Sequence, residues 1–177
     1  DKVLSLVIGN FGKRWAKIAA SYGADVETME VQPGYAVDLE QLEERLKQDT
    51  NKEIKIVTVT HNETSTGVTN PLEEIAKIIR AHGALSVVDG ITSIGAIDCK
   101  QDDWGIDVLV SGSQKGFMIP PGLAFLSANE RAWDVHKTCK YPNFYFNWDE
   151  TKKNYDKDTT PWTPAVNLVV ALDKAFE

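Results

Sequence analysis

Apolar runs of strand length alternate along this chain with segments of helical period. Val3 to Gly9, VLSLVIG, is a short apolar run ending in glycine and reads as a buried strand. Phe11 to Tyr22 carries Trp15, Ile18 and Ala19 at helical spacing, and Gly23 supplies a stop signal. Val26 to Val31 reads as a second strand. Asp38 opens DLEQLEERL, an acidic first turn followed by Leu39, Leu42 and Leu46 on one helix face. Ile54 to Thr60, IKIVTVT, is a β-branched strand. Pro71 begins a helix that runs to Ala81 with Leu72, Ile75 and Ile78 along one side, and Gly83 ends it. Leu85 to Asp89, Val108 to Ser111 and Leu123 to Ser127 are short apolar strands. Ala128 to Lys137 and Ala165 to Phe176 read as helices. Tyr141 to Pro161 mixes aromatics, Asn and Lys without a period and reads as a long connection.

Strands that alternate with helices predict an α/β fold: a three-layer, mostly parallel sheet with helices on both faces. In such sheets ligands bind outside the carboxyl ends of the strands. His61 to Thr64, Asp89 and Lys115 each follow an apolar strand, so the topology brings them to one rim.

The chain has 177 residues, enough for one sizeable core, and 42% of them are hydrophobic. A net charge of -7 argues against a nucleic-acid surface, because phosphate binding relies on Lys and Arg. No apolar stretch is long enough to span a bilayer. No signal-peptide pattern opens the chain, and the first residue is Asp1, so an upstream segment is expected. Cys99 and Cys139 share no metal or redox spacing and read as two separate thiols. His82 and His136 lie in helical patterns without ligand-spaced partners, so no metal site is assigned. A cytoplasmic location is expected, and an organelle is compatible with the same composition.

The candidate chemistry centres on a lysine and an aspartate. Lys115 lies in SGSQKG, where small flanking residues let the backbone approach a ligand. A lysine after a strand is more often a solvated surface residue; partial burial would favour its free amine. Asp89 ends the apolar run LSVVD, and its plain role is a turn or helix cap. A buried acid there also needs a partner, which a pyridinium N–H would supply. Together the two residues suit a pyridoxal phosphate enzyme, in which a lysine forms a Schiff base and a carboxylate keeps the ring nitrogen protonated. HNETSTG, His61 to Gly67, offers amide and hydroxyl groups at another strand end, or simply a turn before the next helix. GNFGKRW, Gly9 to Trp15, lacks the GxGxxG spacing of a dinucleotide fingerprint.

These residues carry a resemblance. THNETSTGV, VVDGITSIGAI, DDWGIDVLVSGSQKG, PPGLAFLS and TPWTPAVNL occur in order between Thr60 and Leu168. In these blocks the chain resembles the class V aminotransferases among the fold type I pyridoxal phosphate enzymes. It is most similar there to the alanine–glyoxylate and serine–glyoxylate (serine–pyruvate) group. The resemblance implies that Lys115 is the Schiff-base lysine and proton shuttle, and that Asp89 pairs with the pyridine nitrogen. It places Thr64 near the phenolic oxygen of the cofactor and Gln114 at its phosphate. It implies that Thr160 and Thr163 reach the phosphate of a neighbouring subunit in a homodimer. His61 receives no role.

The resemblance further implies that residues 1–177 are the cofactor-binding large domain of a protein roughly twice this length. The phosphate loop and the aromatic that stacks on the ring are expected before Asp1, and the substrate-carboxylate arginine after Glu177. The implied reaction moves an amino group from serine or alanine to glyoxylate or another small oxo acid. A cysteine desulfurase or lyase on the same fold is one alternative. A non-catalytic, hydrogenase-associated subunit is another.

Overall fold

The computed structural model describes residues 1–177. Six strands form one sheet in the order β2-β1-β3-β6-β7-β8: β1 (Lys2–Val7), β2 (Asp25–Glu30), β3 (Ile54–Thr60), β6 (Leu85–Asp89), β7 (Val108–Gly112) and β8 (Ala124–Ala128). All neighbours are parallel except β7 and β8, which run antiparallel. A two-stranded hairpin, β4 (Asn62–Glu63) with β5 (Val68–Thr69), stands just after β3. The mostly parallel α/β sheet expected from the alternating pattern is the observed one.

Helices cover the sheet on both faces. α2 (Leu39–Gln48) and α3 (Leu72–His82) pack against each other and against the main core. That core joins Leu42, Leu46, Ile75 and Ile79 to Leu4, Leu6, Val57, Val59 and Val88 of the strands. Asp38 begins α2 by accepting the N–H groups of Glu40 and Gln41, an N-cap that satisfies otherwise orphaned donors. Gly83 ends α3 at φ 98°, a left-handed conformation that glycine adopts without steric cost. α1 (Asn10–Ser21) lies on the opposite face, over β1, β2 and β3. Gly12 permits its close approach, since a Cβ there would stand 3.0 Å from the Leu6 carbonyl oxygen.

The remaining helices are α4 (Gln101–Trp104), α5 (Glu130–His136), α6 (Trp148–Tyr155) and α7 (Val166–Ala175). α6 corrects the expectation of an irregular connection over Tyr141 to Pro161. Asn147 caps it by accepting the Glu150 N–H at 2.9 Å. None of its residues is fully buried, so it presents no apolar stripe of the kind that reveals a helix in sequence. His136 Nε2 lies 3.2 Å from Asp149 and ties α5 to it. His82 pairs with Asp49 at 3.0 Å in the core. Both histidines are structural, as their helical setting suggested. Both cysteines are free thiols, Cys99 half-buried and Cys139 exposed. No helix is long and apolar enough to cross a membrane.

Candidate active site

Four loops meet at the carboxyl ends of the parallel strands. Phe11 follows β1; Asn62 and Thr64 follow β3; Asp89 ends β6, with Ile91 and Thr92 after it; Lys115 follows β7. Together they line one narrow cleft of about 20 Å³. Larger surface hollows occur elsewhere, about 330 Å³ beside α2 and α3 and about 460 Å³ beside α4. Their walls hold mostly lysines, arginine and acids facing solvent. The strand-end cleft is where an amine, a buried carboxylate, a hydroxyl and an aromatic ring converge, so it is the candidate site.

Asp89 ends β6 with only 4% of its surface exposed. Its Oδ1 accepts the Ile91 N–H at 3.0 Å, which is the turn-capping role its position suggested. Its Oδ2 accepts the indole N–H of Trp15 at 3.0 Å, a contact from a different element. Lys115 is exposed rather than partly buried, and its amine makes no ion pair or hydrogen bond. Its loop is held from below: Ser113 donates its hydroxyl to the Pro120 carbonyl at 2.8 Å and accepts the Leu123 N–H at 3.2 Å. Gln114 is exposed and its amide folds over Gly112, 3.1 Å from where a Cβ would stand. Thr64 is exposed on the cleft wall. Thr92 fixes the neighbouring loop by donating to the Asn62 carbonyl at 2.7 Å.

Three contributors are not apparent in the sequence. Phe11 supplies an aromatic wall to the cleft, whereas the ring-stacking aromatic was expected upstream of Asp1. Trp15 reads as one apolar position on a helix, and nothing in that period points to a carboxylate partner. Glu63 is fully buried, and its carboxylate accepts the N–H groups of Phe11 at 3.0 Å and Gly12 at 3.1 Å. A carboxylate at a helix N-terminus offsets the partial positive charge of the free N–H groups there. The strand-to-helix order of GNFGKRW was a usable signal for an anion at α1, but the anion is a side chain of this chain. Gly9 leaves room for it, because a Cβ there would lie 2.5 Å from the Glu63 side chain.

Three of the expected cofactor contacts, Gln114, Thr160 and Thr163, are not among the cleft walls. Thr160 and Thr163 are exposed, and the Thr160 hydroxyl donates to the Trp162 carbonyl at 2.8 Å. His61 does not face the rim. It is buried with its ring edge-on to Trp104, centroids 6.2 Å apart. Burial holds its pKa below the ordinary imidazole value.

The chain as a whole also has recognisable relatives. A family model described as aminotransferase class-V aligns with residues 2–177. The chain belongs to the class-V aminotransferase family. Among class-V relatives, a serine–glyoxylate aminotransferase of Hyphomicrobium methylovorum is 39% identical over 100% of this chain and 45% of its own length. A protein of Anabaena cylindrica named soluble hydrogenase 42 kDa subunit is 46% identical over 97% of this chain and 45% of its own length. The crystal structure of an alanine–glyoxylate aminotransferase from Nostoc sp. superposes with a TM-score of 0.91 at 35% identity, covering 99% of this chain and 46% of that one. The chain thus spans about half the length of the relatives it matches.

Proposed function

We propose that residues 1–177 are the cofactor-binding large domain of a pyridoxal-phosphate-dependent transaminase. Its donor is a small amino acid, serine or alanine, and its acceptor is glyoxylate or another small oxo acid. The observation that carries this reading is the convergence of Lys115, Asp89 and Thr64 on one cleft at the strand ends.

The residues fit the cofactor by their chemistry. Lys115 brings an unpaired amine, Asp89 a buried carboxylate, Thr64 a hydroxyl and Phe11 an aromatic face. The cleft, about 20 Å³, is smaller than a pyridine ring, and Lys115 on its wall is exposed. When bound, pyridoxal phosphate supplies the aldehyde that takes up the amino group and the ring that stores an electron pair. Lys115 Nζ would shuttle the proton within each half-reaction, from the donor's α-carbon to the cofactor carbon that takes up the amino group, and in the opposite direction for the acceptor. Asp89 would place its buried carboxylate beside the ring nitrogen. Thr64 would donate to the phenolic oxygen and Gln114 to the phosphate. Thr160 and Thr163, exposed on the surface, serve the phosphate of the neighbouring subunit in a homodimer.

The name of the Anabaena relative offers a second reading, a non-catalytic subunit of a redox assembly. The complete amine, carboxylate and hydroxyl set favours catalysis. Neither Cys99 nor Cys139 lines the cleft, so neither is the nucleophile a desulfurase would need.

The test is the visible spectrum of the complete protein loaded with pyridoxal phosphate. A long-wavelength band that bleaches with serine or alanine, returns with glyoxylate, and vanishes in Lys115→Ala is expected. A bleaching band that survives Lys115→Ala would remove the lysine from its role. No band at all would favour the non-catalytic subunit.

A further inference from the structure

We propose that Trp15 is a positioning residue for the Asp89 carboxylate, setting the plane in which it meets a ring nitrogen. The inference rests on the cofactor reading above and adds a residue to it.

Asp89 has two carboxylate oxygens and two anchors of different kinds. The Ile91 N–H on Oδ1 is local, and an aspartate in a turn forms such a bond wherever it stands. The Trp15 N–H on Oδ2 crosses 74 positions of sequence and joins the face helix α1 to the end of β6. Capping requires only the first. The terminal torsion of an aspartate has a broad profile, so one anchor leaves the carboxylate free to turn. The second anchor, at 3.0 Å, removes that freedom. Each carboxylate oxygen accepts more than one donor, so Asp89 keeps lone pairs for the cleft.

The helix that carries the indole is itself held. Glu63 takes the N–H groups of Phe11 and Gly12 at the first turn of α1. Phe11 and Trp15 are four residues apart and share one helix face. One face of one pinned helix therefore presents a ring to the cleft and an N–H to the carboxylate behind it. An apolar residue of similar size would fill the volume, and the indole adds a donor aimed at Oδ2. Trp15 is half-buried, so its place is not explained by core packing alone.

The experiment is a binding titration of the complete protein with two ligands. One is pyridoxal phosphate; the other is its 1-deaza analogue, which carries C–H where the ring nitrogen would be. Trp15→Phe keeps most of the bulk and loses the donor. A hydrogen bond to a charged group is worth enough that pyridoxal phosphate should bind about tenfold more weakly. The deaza analogue should bind wild type and variant equally, because it has no ring N–H for Asp89 to meet. Trp15→His, which restores a ring N–H, should recover much of the loss. Equal weakening for both ligands would show that Trp15 acts by packing and would overturn the proposal. Unchanged or tighter binding of pyridoxal phosphate would overturn it as well. If the wild type shows no binding of pyridoxal phosphate, the cofactor reading fails first and the role of Trp15 with it.

Discussion

His61 and Asp89 sit at the ends of adjacent strands, yet they face opposite sides of the sheet. Thr60 pairs with Asp89 across β3 and β6. His61 is the next residue, and one step along an extended chain turns the side chain over. It therefore enters the core against Trp104, and its Nδ1 finds no partner there. Burial depresses its pKa, so the folded state resists protonation more than the unfolded state does. Well above a pH of about 6.5 neither state is protonated and the residue contributes no pH dependence. Below that, the unfolded state binds the proton first and stability falls. The thermal midpoint should therefore drop between pH 7.5 and pH 5.5, and His61→Phe should flatten that drop. An equal drop in the variant would assign it elsewhere. Asp49 does not confuse the window. Burial alone pushes its pKa up, but the N–H groups of Ile54 and Glu53 and the His82 ring hold it below the ordinary value. The stability it contributes is lost only as pH falls below about 4.

At the scale of elements, the cleft depends on two loops that cross. The turn after β6 and the loop carrying Lys115 meet at Gly95 and Gly116. A Cβ on Gly116 would lie 2.1 Å from the Ile94 carbonyl oxygen. Gly95 has φ 81°, and a Cβ there would stand 3.1 Å from the Gly116 backbone. Gly116→Ala should force the loops apart, at a cost of roughly 1–3 kcal/mol in urea unfolding. Lys115 should move with its loop, and the cofactor band of the complete protein should weaken. An alanine variant with unchanged stability and unchanged band would show that the crossing relaxes freely. Much of this architecture is legible in sequence, because buried parallel strands are apolar runs and the rim lies where each run stops. That rule brings Lys115, Asp89 and Thr64 together without any distance. The same rule places His61 at the rim and is wrong there, since a strand end has two faces. Phe11, Trp15 and Glu63 stay hidden for another reason. Their roles are contacts between distant elements, and a helical period records only which residues turn inward. α6 stays hidden because it is held by a cap and surface pairs instead of an apolar stripe.

At the scale of the whole molecule, polarity is unevenly distributed. The core on the α2 and α3 side is closed, with Leu42, Ile75 and Val57 fully buried. The last third of the chain is open. Phe144 is 79% exposed, Phe146 83%, and Val166 and Val170 58% each. Tyr145 stacks on Trp162 at 5.1 Å and Phe144 tilts against the same ring, so these aromatics form one ordered surface beside Thr160 and Thr163. α7 has no buried residue and rests on the rest of the chain through Leu168, against Gly122, and through Phe176, against Phe117. Apolar surface of this kind marks a contact face, for the rest of a longer chain or for a second copy. It lies beside the two threonines proposed to reach a neighbouring subunit, so a second copy of the chain is the expected partner. Residues 1–177 should therefore associate as concentration rises, read by sedimentation velocity. Replacing Phe144 and Phe146 together by serine should reduce the association. The unfolding midpoint, measured at dilution, should stay nearly constant, because side chains this exposed contribute little to the fold. A chain that stays monomeric at every concentration would refute the prediction. It would also remove the structural support for placing Thr160 and Thr163 in a site shared between subunits.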